Sequence, residues 1–210
     1  VSGELREVLR HMQEATENLV NLTDEFLDIS RIEQGHVKFN FQLKDIIKLI
    51  DDVIRGLSER AKRKGLRIER EISAKEFIIY IDEEKIRHVV FNLIDNAIKY
   101  TQTGAVKIKV DLSASAQGKK DKAGLNFRVM DTGLGFGEKD EANFWQKFYR
   151  GQNVKNTSVI GTGLGLYVCR QFIDGHKGRV WAKSAGPDKG SEFGFYLPLN
   201  QDKLADEKRR

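Results

Sequence analysis

Apolar residues recur at Leu5, Val8, Met12, Ala15, Leu19, Leu22, Phe26 and Ile29 in alternating steps of three and four. That unbroken spacing predicts one helix of about four heptads that seeks partner helices. Leu9, Val20 and Leu27 flank the stripe and widen it toward a bundle of more than two helices. The helix is expected to stop at "RIEQG", where Gly35 suits a C-terminal cap. Leu43, Ile46, Ile47, Ile50, Ile54, Leu57 and Ala61 predict a second helix ending at Gly65, and "LRIEREI" (66–72) and "FIIYI" (77–81) read as strands. Asp82 then caps a third helix with an acidic first turn, Glu83 and Glu84, and a core face of Ile86, Val89, Val90, Leu93, Ala97 and Ile98.

Two more strands follow, "AVKIKVDL" (105–112) and "LNFRVM" (125–130), joined by the polar stretch "SASAQGKKDKAG", which reads as a solvated hairpin connection. From Asp131 to Gly165 glycine is frequent and periodicity weak, the pattern of a functional or mobile segment. A helix (164–174) and two closing strands (179–184 and 191–198) complete the pattern, and the tail "QDKLADEKRR" is too charged to bury. The expected architecture is α/β, a two-layer sandwich with a mixed sheet of about five strands under three helices, preceded by one long bundle-forming helix. The expected boundaries are 1–34 for that helix, 35–200 for the α/β domain and 201–210 for the tail.

Composition narrows the partners. The chain has 210 residues, two prolines and a formal charge of +5 that is spread along its length. By charge alone a polyphosphate satisfies this excess as well as DNA does, and the expectation of no nucleic-acid partner comes from the ordered motifs below. Cys169 stands alone in an apolar helical run, so it reads as a small buried hydrophobe in a reducing cytoplasm. No apolar run approaches membrane-spanning length and no direct membrane contact is expected, although a longer parent protein could be membrane-anchored. The chain begins with Val1 and reads as part of something longer.

Three polar constellations carry candidate chemistry. Asn92, Asn96 and Lys99 fall on one stripe of the third helix, pointing two amides and an ammonium together. An amide oxygen is a hard neutral ligand for Mg²⁺, while Lys99 and the Tyr100 hydroxyl can meet phosphate oxygens. Asp131 ends a strand and is followed by glycines in "DTGLGFG", so a carboxylate that accepts from an exocyclic amino group sits where a planar ring can approach backbone. By composition alone it could equally be a turn residue. In "VIGTGLGLYVCR", Gly161, Gly163 and Gly165 lead into a helix start, where backbone N–H groups and the helix dipole favour phosphate. Neither the dinucleotide nor the P-loop spacing is present.

Taken in order, these pieces resemble the ATP-binding domain of sensor histidine kinases, in the superfamily that includes gyrase and heat-shock chaperone ATPases. "NLIDNAIKYT" is similar to its N box, "DTGLGF" to its first glycine box, "FWQKFYRG" to its aromatic box, "GTGLGL" to its second glycine box and "GSEF" to its final small-residue box. The resemblance implies a site for Mg²⁺ and ATP in which Asp131 reads adenine beside Gly133, Gly135 and Phe136, and Asn96 holds the metal. Asn92, Lys99, Tyr100 and Arg150 would neutralise phosphates, and Gly161, Thr162, Gly163, Leu164, Gly165 and Leu166 would cradle them. Phe148, Tyr149 and Ser191 complete the implied site, with 138–160 as a lid. Phe136 and Trp145 differ from the family's usual residues but remain apolar, and Ile160 stands where a further glycine is frequent. Asn92 replaces the Glu that gyrase and chaperone relatives use as general base, which favours phosphoryl transfer over hydrolysis.

"LTDEFLDISRIEQG" resembles the end of the second helix of the family's dimerisation domain, which implies a homodimer through this helix and a response regulator as partner. "SGELREVL" resembles the phosphoacceptor box with Gly3 in place of histidine, yet only one uninterrupted helix fits between Gly3 and Asp28, where the family has two. The first helix of that pair, with the acceptor, is expected to lie outside this sequence. His11 reads as solvated, His36 as a linker residue, and His88 and His176 as structural. The fragment is therefore expected not to label itself. The rival readings are a degenerate nucleotide-binding scaffold of a kinase complex and a chaperone-like hydrolase, separable by phosphotransfer and steady-state ATPase assays.

Overall fold

A computed structural model describes residues 3–113, 123–155 and 161–199. The expected hairpin connection, for the most part, and the charged tail lie outside the described residues, as does Ile160. The chain divides into two compact units, Val1–Lys38 and Phe39–Arg210.

The first unit is α1, Gly3–Glu33. Leu5, Val8, Leu9, Met12, Leu19, Val20, Phe26 and Leu27 are all exposed on it. Its end is a Schellman motif: Gly35 takes φ +66, its N–H donates to Ile32 O at 3.0 Å, and the N–H of His36 reaches Arg31 O at 2.9 Å.

The second unit runs β1 (Gln42–Asp45), α2 (Ile46–Arg63), β2 (Arg67–Ile72), β3 (Ile78–Ile81), α3 (Glu83–Tyr100), β4 (Ala105–Ser113), β5 (Gly124–Asp131), α4 (Glu138–Glu141), α5 (Gln152–Lys155), α6 (Gly165–Gly175), β6 (Arg179–Lys183) and β7 (Ser191–Pro198). Five strands form a mixed sheet in the order β2-β4-β5-β7-β6, with β2 and β4 parallel and the other neighbours antiparallel. Alternate residues of the central strands, Val106, Ile108 and Val110, then Leu125, Phe127 and Val129, then Phe195 and Leu197, are buried. They face the apolar sides of α2, α3 and α6, as a two-layer sandwich requires. Phe127 and Phe195 stack across β5 and β7 with ring centroids 4.9 Å apart.

Three features differ from the sequence reading. Leu43 belongs to strand β1 and is 70% exposed, because Asp45 starts the helix: its carboxylate accepts from the N–H of Ile47 and of Phe77, each at 3.0 Å. β3 pairs only with β1 and stays out of the main sheet, whose five strands include β2. Besides the three long helices, the segment after β5 holds two four-residue helices, α4 and α5, too short to leave a periodic pattern.

α3 is the element that positions the site. Asp82 caps its start through the N–H of Lys85 at 3.1 Å, and Lys64 caps its end, donating from Nζ to Ile98 O, Lys99 O and Thr101 O at 2.7, 2.9 and 3.0 Å. Those are carbonyls a helix end otherwise leaves unpaired. Burial lowers the Lys64 pKa, with Arg60 nearby adding to the effect and Asp95 opposing it.

Candidate functional site

In the C-terminal half of α3, Asn96 Nδ2 donates to Asn92 Oδ1 at 2.9 Å. The first residue of α6 meets the same group: a Cβ on Gly165 would lie 2.3 Å from Asn92 Nδ2. A helix N-terminus and its outward N–H groups therefore abut the paired amides. Lys99 Nζ lies 2.9 Å from Asp95, which also receives Arg60 at 2.5 Å. Burial raises the Tyr100 pKa and keeps its phenol protonated, with the Arg150 guanidinium pulling the other way and Asp95 adding to the rise. The atom nearest to a Cβ built on Gly161 is the Tyr100 hydroxyl, at 3.6 Å.

Asp131 ends β5 opposite Ser191 of β7. Its carboxylate accepts from Ser191 Oγ at 2.5 Å and from the Gly133 N–H at 2.8 Å. Burial pushes its pKa up, and these donors pull it back. Gly133 and Gly190 are obligatory here: a Cβ would lie 2.4 Å from Tyr100 O in the first case and 2.0 Å from Asp131 O in the second. The loop thus passes close against the ends of α3 and β5, joined by Leu134 N–H to Tyr100 O at 3.3 Å and Gly190 N–H to Gly133 O at 3.1 Å.

The segment after Asp131 packs through aromatic rings. Phe136, Trp145 and Ala182 form a buried cluster with Phe144, Leu166, Val180 and Phe193 against it. Phe136 meets Phe144 edge-on at 4.7 Å. Asp140, itself buried, accepts from Tyr149 Oη at 2.6 Å and from the N–H groups of Gly137 and Gln152, each at 3.3 Å. Gly163 takes φ +74 and lies against the Phe148–Tyr149 backbone, where a Cβ would meet Tyr149 O at 2.7 Å. Thr162 Oγ1 accepts from the Leu164 N–H at 3.1 Å and shapes the entry to α6.

With this geometry in place, the sequence profile of the histidine kinase-, DNA gyrase B-, and HSP90-like ATPases matches residues 81–201, more than half of the chain. The chain belongs to this ATPase family. Within it, the chain is an ATP-binding catalytic domain of the sensor histidine kinase kind. It is 28% identical over 195 residues to the sensor histidine kinase WalK of Bacillus subtilis, covering 92% of this chain and 31% of that protein. It is 32% identical over 198 residues to the adaptive-response sensory kinase SasA of Rippkaea orientalis, covering 94% of this chain and 48% of the relative. The chain thus spans less than half of either relative. Full-length ShkA in complex with AMPPNP superposes with a TM-score of 0.73 at 26% identity, over 95% of this chain and 40% of that one. The histidine kinase ThkA in complex with the response regulator protein TrrA shares the fold, with a TM-score of 0.68 at 21% identity over 92% of this chain and 52% of that one.

Of the residues that the resemblance assigned to one ATP site, Asn92, Asn96 and Gly165 adjoin one another and Tyr100 lies beside Gly161. Asp131, Gly133 and Ser191 likewise meet. Phe136 and Leu164 are buried, and Phe148 is 71% exposed with φ +62. Lys99 is held by Asp95. Sequence reasoning missed Arg60, Asp95 and Asp140, along with Ser184, whose Oγ accepts from the Phe136 N–H at 3.1 Å. Asp95 inside the N box and Asp140 after the glycine box were visible only as polar residues at positions the packing buries. Among the described residues, no group of three His, Cys, Asp or Glu side chains could hold a metal, and no helix is long and apolar enough to cross a membrane.

Proposed function

We propose that this chain binds ATP with Mg²⁺ and donates the γ-phosphoryl group to a histidine carried by another segment. The observation that carries the proposal is the convergence of the Asn92–Asn96 amides with the N-terminus of α6 at Gly165. That arrangement offers neutral oxygen ligands, N–H donors and a positive helix end to one polyphosphate. Asp131 accepts from the adenine amino group, and Ser191 and Gly133 hold its carboxylate in place. Asn96 donates through its nitrogen, so its Oδ1 is the atom that would hold Mg²⁺. Bound there, the metal would neutralise phosphate charge. Lys99, Tyr100 and Arg150 serve the phosphates, and the backbone from Gly161 to Leu166 closes over them.

Asn92 directs the chemistry toward transfer, since an amide takes no proton from water. Transfer breaks the bond between the γ-phosphorus and the bridging oxygen, releasing ADP, as a bond forms to an imidazole nitrogen in line with it. Of the four histidines, His176 is buried and neutral within packing, and none lies in the acceptor box. A homodimer through α1 and a response regulator complete the proposed setting. Incubation with γ-labelled ATP tests it: no acid-labile label is expected on this chain alone, and transfer is expected to a supplied helix bearing the acceptor box. Label on this chain alone would overturn the acceptor assignment, and absence of ATP binding would overturn the function.

A further inference from the structure

Lys99 is assigned to phosphate, yet its ammonium is already paired. It lies 2.9 Å from Asp95 Oδ2, and the Asp95 side chain is only 6% exposed. A buried carboxylate stripped of its cation is strongly unfavourable, so Lys99 can leave only if another cation stays. Arg60 of α2 is that cation: its Nη1 lies 2.5 Å from Asp95 Oδ1, the other carboxylate oxygen. One turn further along α2, Lys64 grips the carbonyls of Ile98, Lys99 and Thr101. Arg60 therefore reaches Asp95 from a helix whose last turn is anchored to the last turn of α3.

We propose that Arg60 is a positioning residue for nucleotide binding, the standing counter-ion of Asp95 that releases Lys99 to the phosphates. The inference rests on the reading of Lys99 as a phosphate ligand. Arg60 touches no substrate. With Arg60 present, Asp95 keeps a charged partner at one oxygen when Lys99 moves away. Without Arg60, Lys99 is the remaining cation bonded to Asp95 and the phosphates compete for it, so the fraction of molecules ready to bind falls and the apparent affinity falls with it.

Titration of a fluorescent ATP analogue into four variants, with thermal melts alongside, tests this. Arg60→Gln is expected to weaken binding by about tenfold, and Arg60→Lys, which keeps a cation, to bind within about threefold of the parent. Arg60→Gln combined with Asp95→Asn removes both charges, strands no carboxylate and is expected to recover affinity to within about threefold, whatever its melting temperature. A purely structural role would leave the double variant as weak as the single one. That result, or parental affinity in Arg60→Gln, would overturn the proposal. The double variant carries the test if Arg60→Gln does not fold. Lys99→Met, expected to weaken binding, separates the two claims: unchanged affinity there would overturn the phosphate role of Lys99 and the Arg60 inference together, whereas weakened affinity with an inert Arg60 would overturn the inference alone.

Discussion

Asn96 donates its side-chain amide to Asn92 across one turn of α3, at 2.9 Å. That bond engages one N–H of the Asn96 amide and leaves Oδ1 as the acceptor assigned to Mg²⁺ in the proposed function. Asn96→Ala is therefore expected to remove most of the Mg²⁺-dependent part of ATP binding. Calorimetry with and without Mg²⁺ measures it, and equal affinities for variant and parent would sink the metal assignment.

The carboxylate of Asp131 presents acceptors only. It suits the amino group of adenine and opposes the carbonyl of guanine, and an unpaired polar group of this kind costs about 1 to 3 kcal/mol. ATP is expected to bind roughly tenfold or more tightly than GTP. Asp131→Asn, which can donate as well as accept, should narrow that gap. Competition against a fluorescent nucleotide reads it out, and comparable displacement by both nucleotides in the parent would count against Asp131 as the adenine reader.

Gly163 combines φ +74 with backbone of Phe148 and Tyr149 where a Cβ would fall. Gly163→Ala adds left-handed strain of about 1 kcal/mol and displaces the segment proposed to close over the phosphates, so ATP affinity is expected to drop about fivefold or more. Gly56 in α2 is the control, with no neighbour within 4 Å and no positive φ. Gly56→Ala should leave affinity alone and raise stability by about 0.5 to 1 kcal/mol. Equal nucleotide affinities for the two variants would refute the role given to Gly163.

His176 is buried, its Nε2 accepting from the Asp82 N–H at 3.0 Å and its Nδ1 placed 2.7 Å from Phe172 O, the geometry of a neutral ring that donates to that carbonyl. Burial lowers its pKa from 6.5 to about 4. The unfolded chain therefore takes up a proton that the folded chain refuses. Stability is complete above pH 6.5 and falls as pH drops from 6.5 toward 4, by roughly 3 kcal/mol in all. Burial raises the Asp82 carboxyl, but the N–H of Asn40 and the ammonium and N–H of Lys85 outweigh it, so Asp82 titrates below this window. Urea melts between pH 7.5 and 4.5 should show the loss. In His176→Gln the slope should flatten, and an unchanged slope would place the proton elsewhere.

Much of the fold was legible because its signals are local. Gly35 and Gly65 end helices in the left-handed conformation with the bonding of a Schellman motif, and Asp82 caps α3 from the position the acidic turn marked. The same motif closes α6, but there the left-handed residue is Lys177 at φ +58, which leaves no glycine to read. The ordered boxes identified the ligand class, since glycine, amide and carboxylate at those spacings are chemistry written in single residues. Leu43 misled because one apolar residue just before a helical run extends the periodicity, whereas Asp45 and the pairing with Tyr80 decide it.

The order of helices and strands and the residue types of the site follow from contacts within a few positions along the chain, where capping, periodicity and backbone sterics act. The tertiary structure alone decided that β3 leaves the main sheet for β1, that Phe136 turns into the aromatic cluster, and that Arg60, 35 residues away, joins Lys99 on Asp95. Those choices depend on which buried surfaces and charges meet when distant segments close on one another. A buried carboxylate takes whichever cation the packing brings within reach, and no local pattern names that cation in advance.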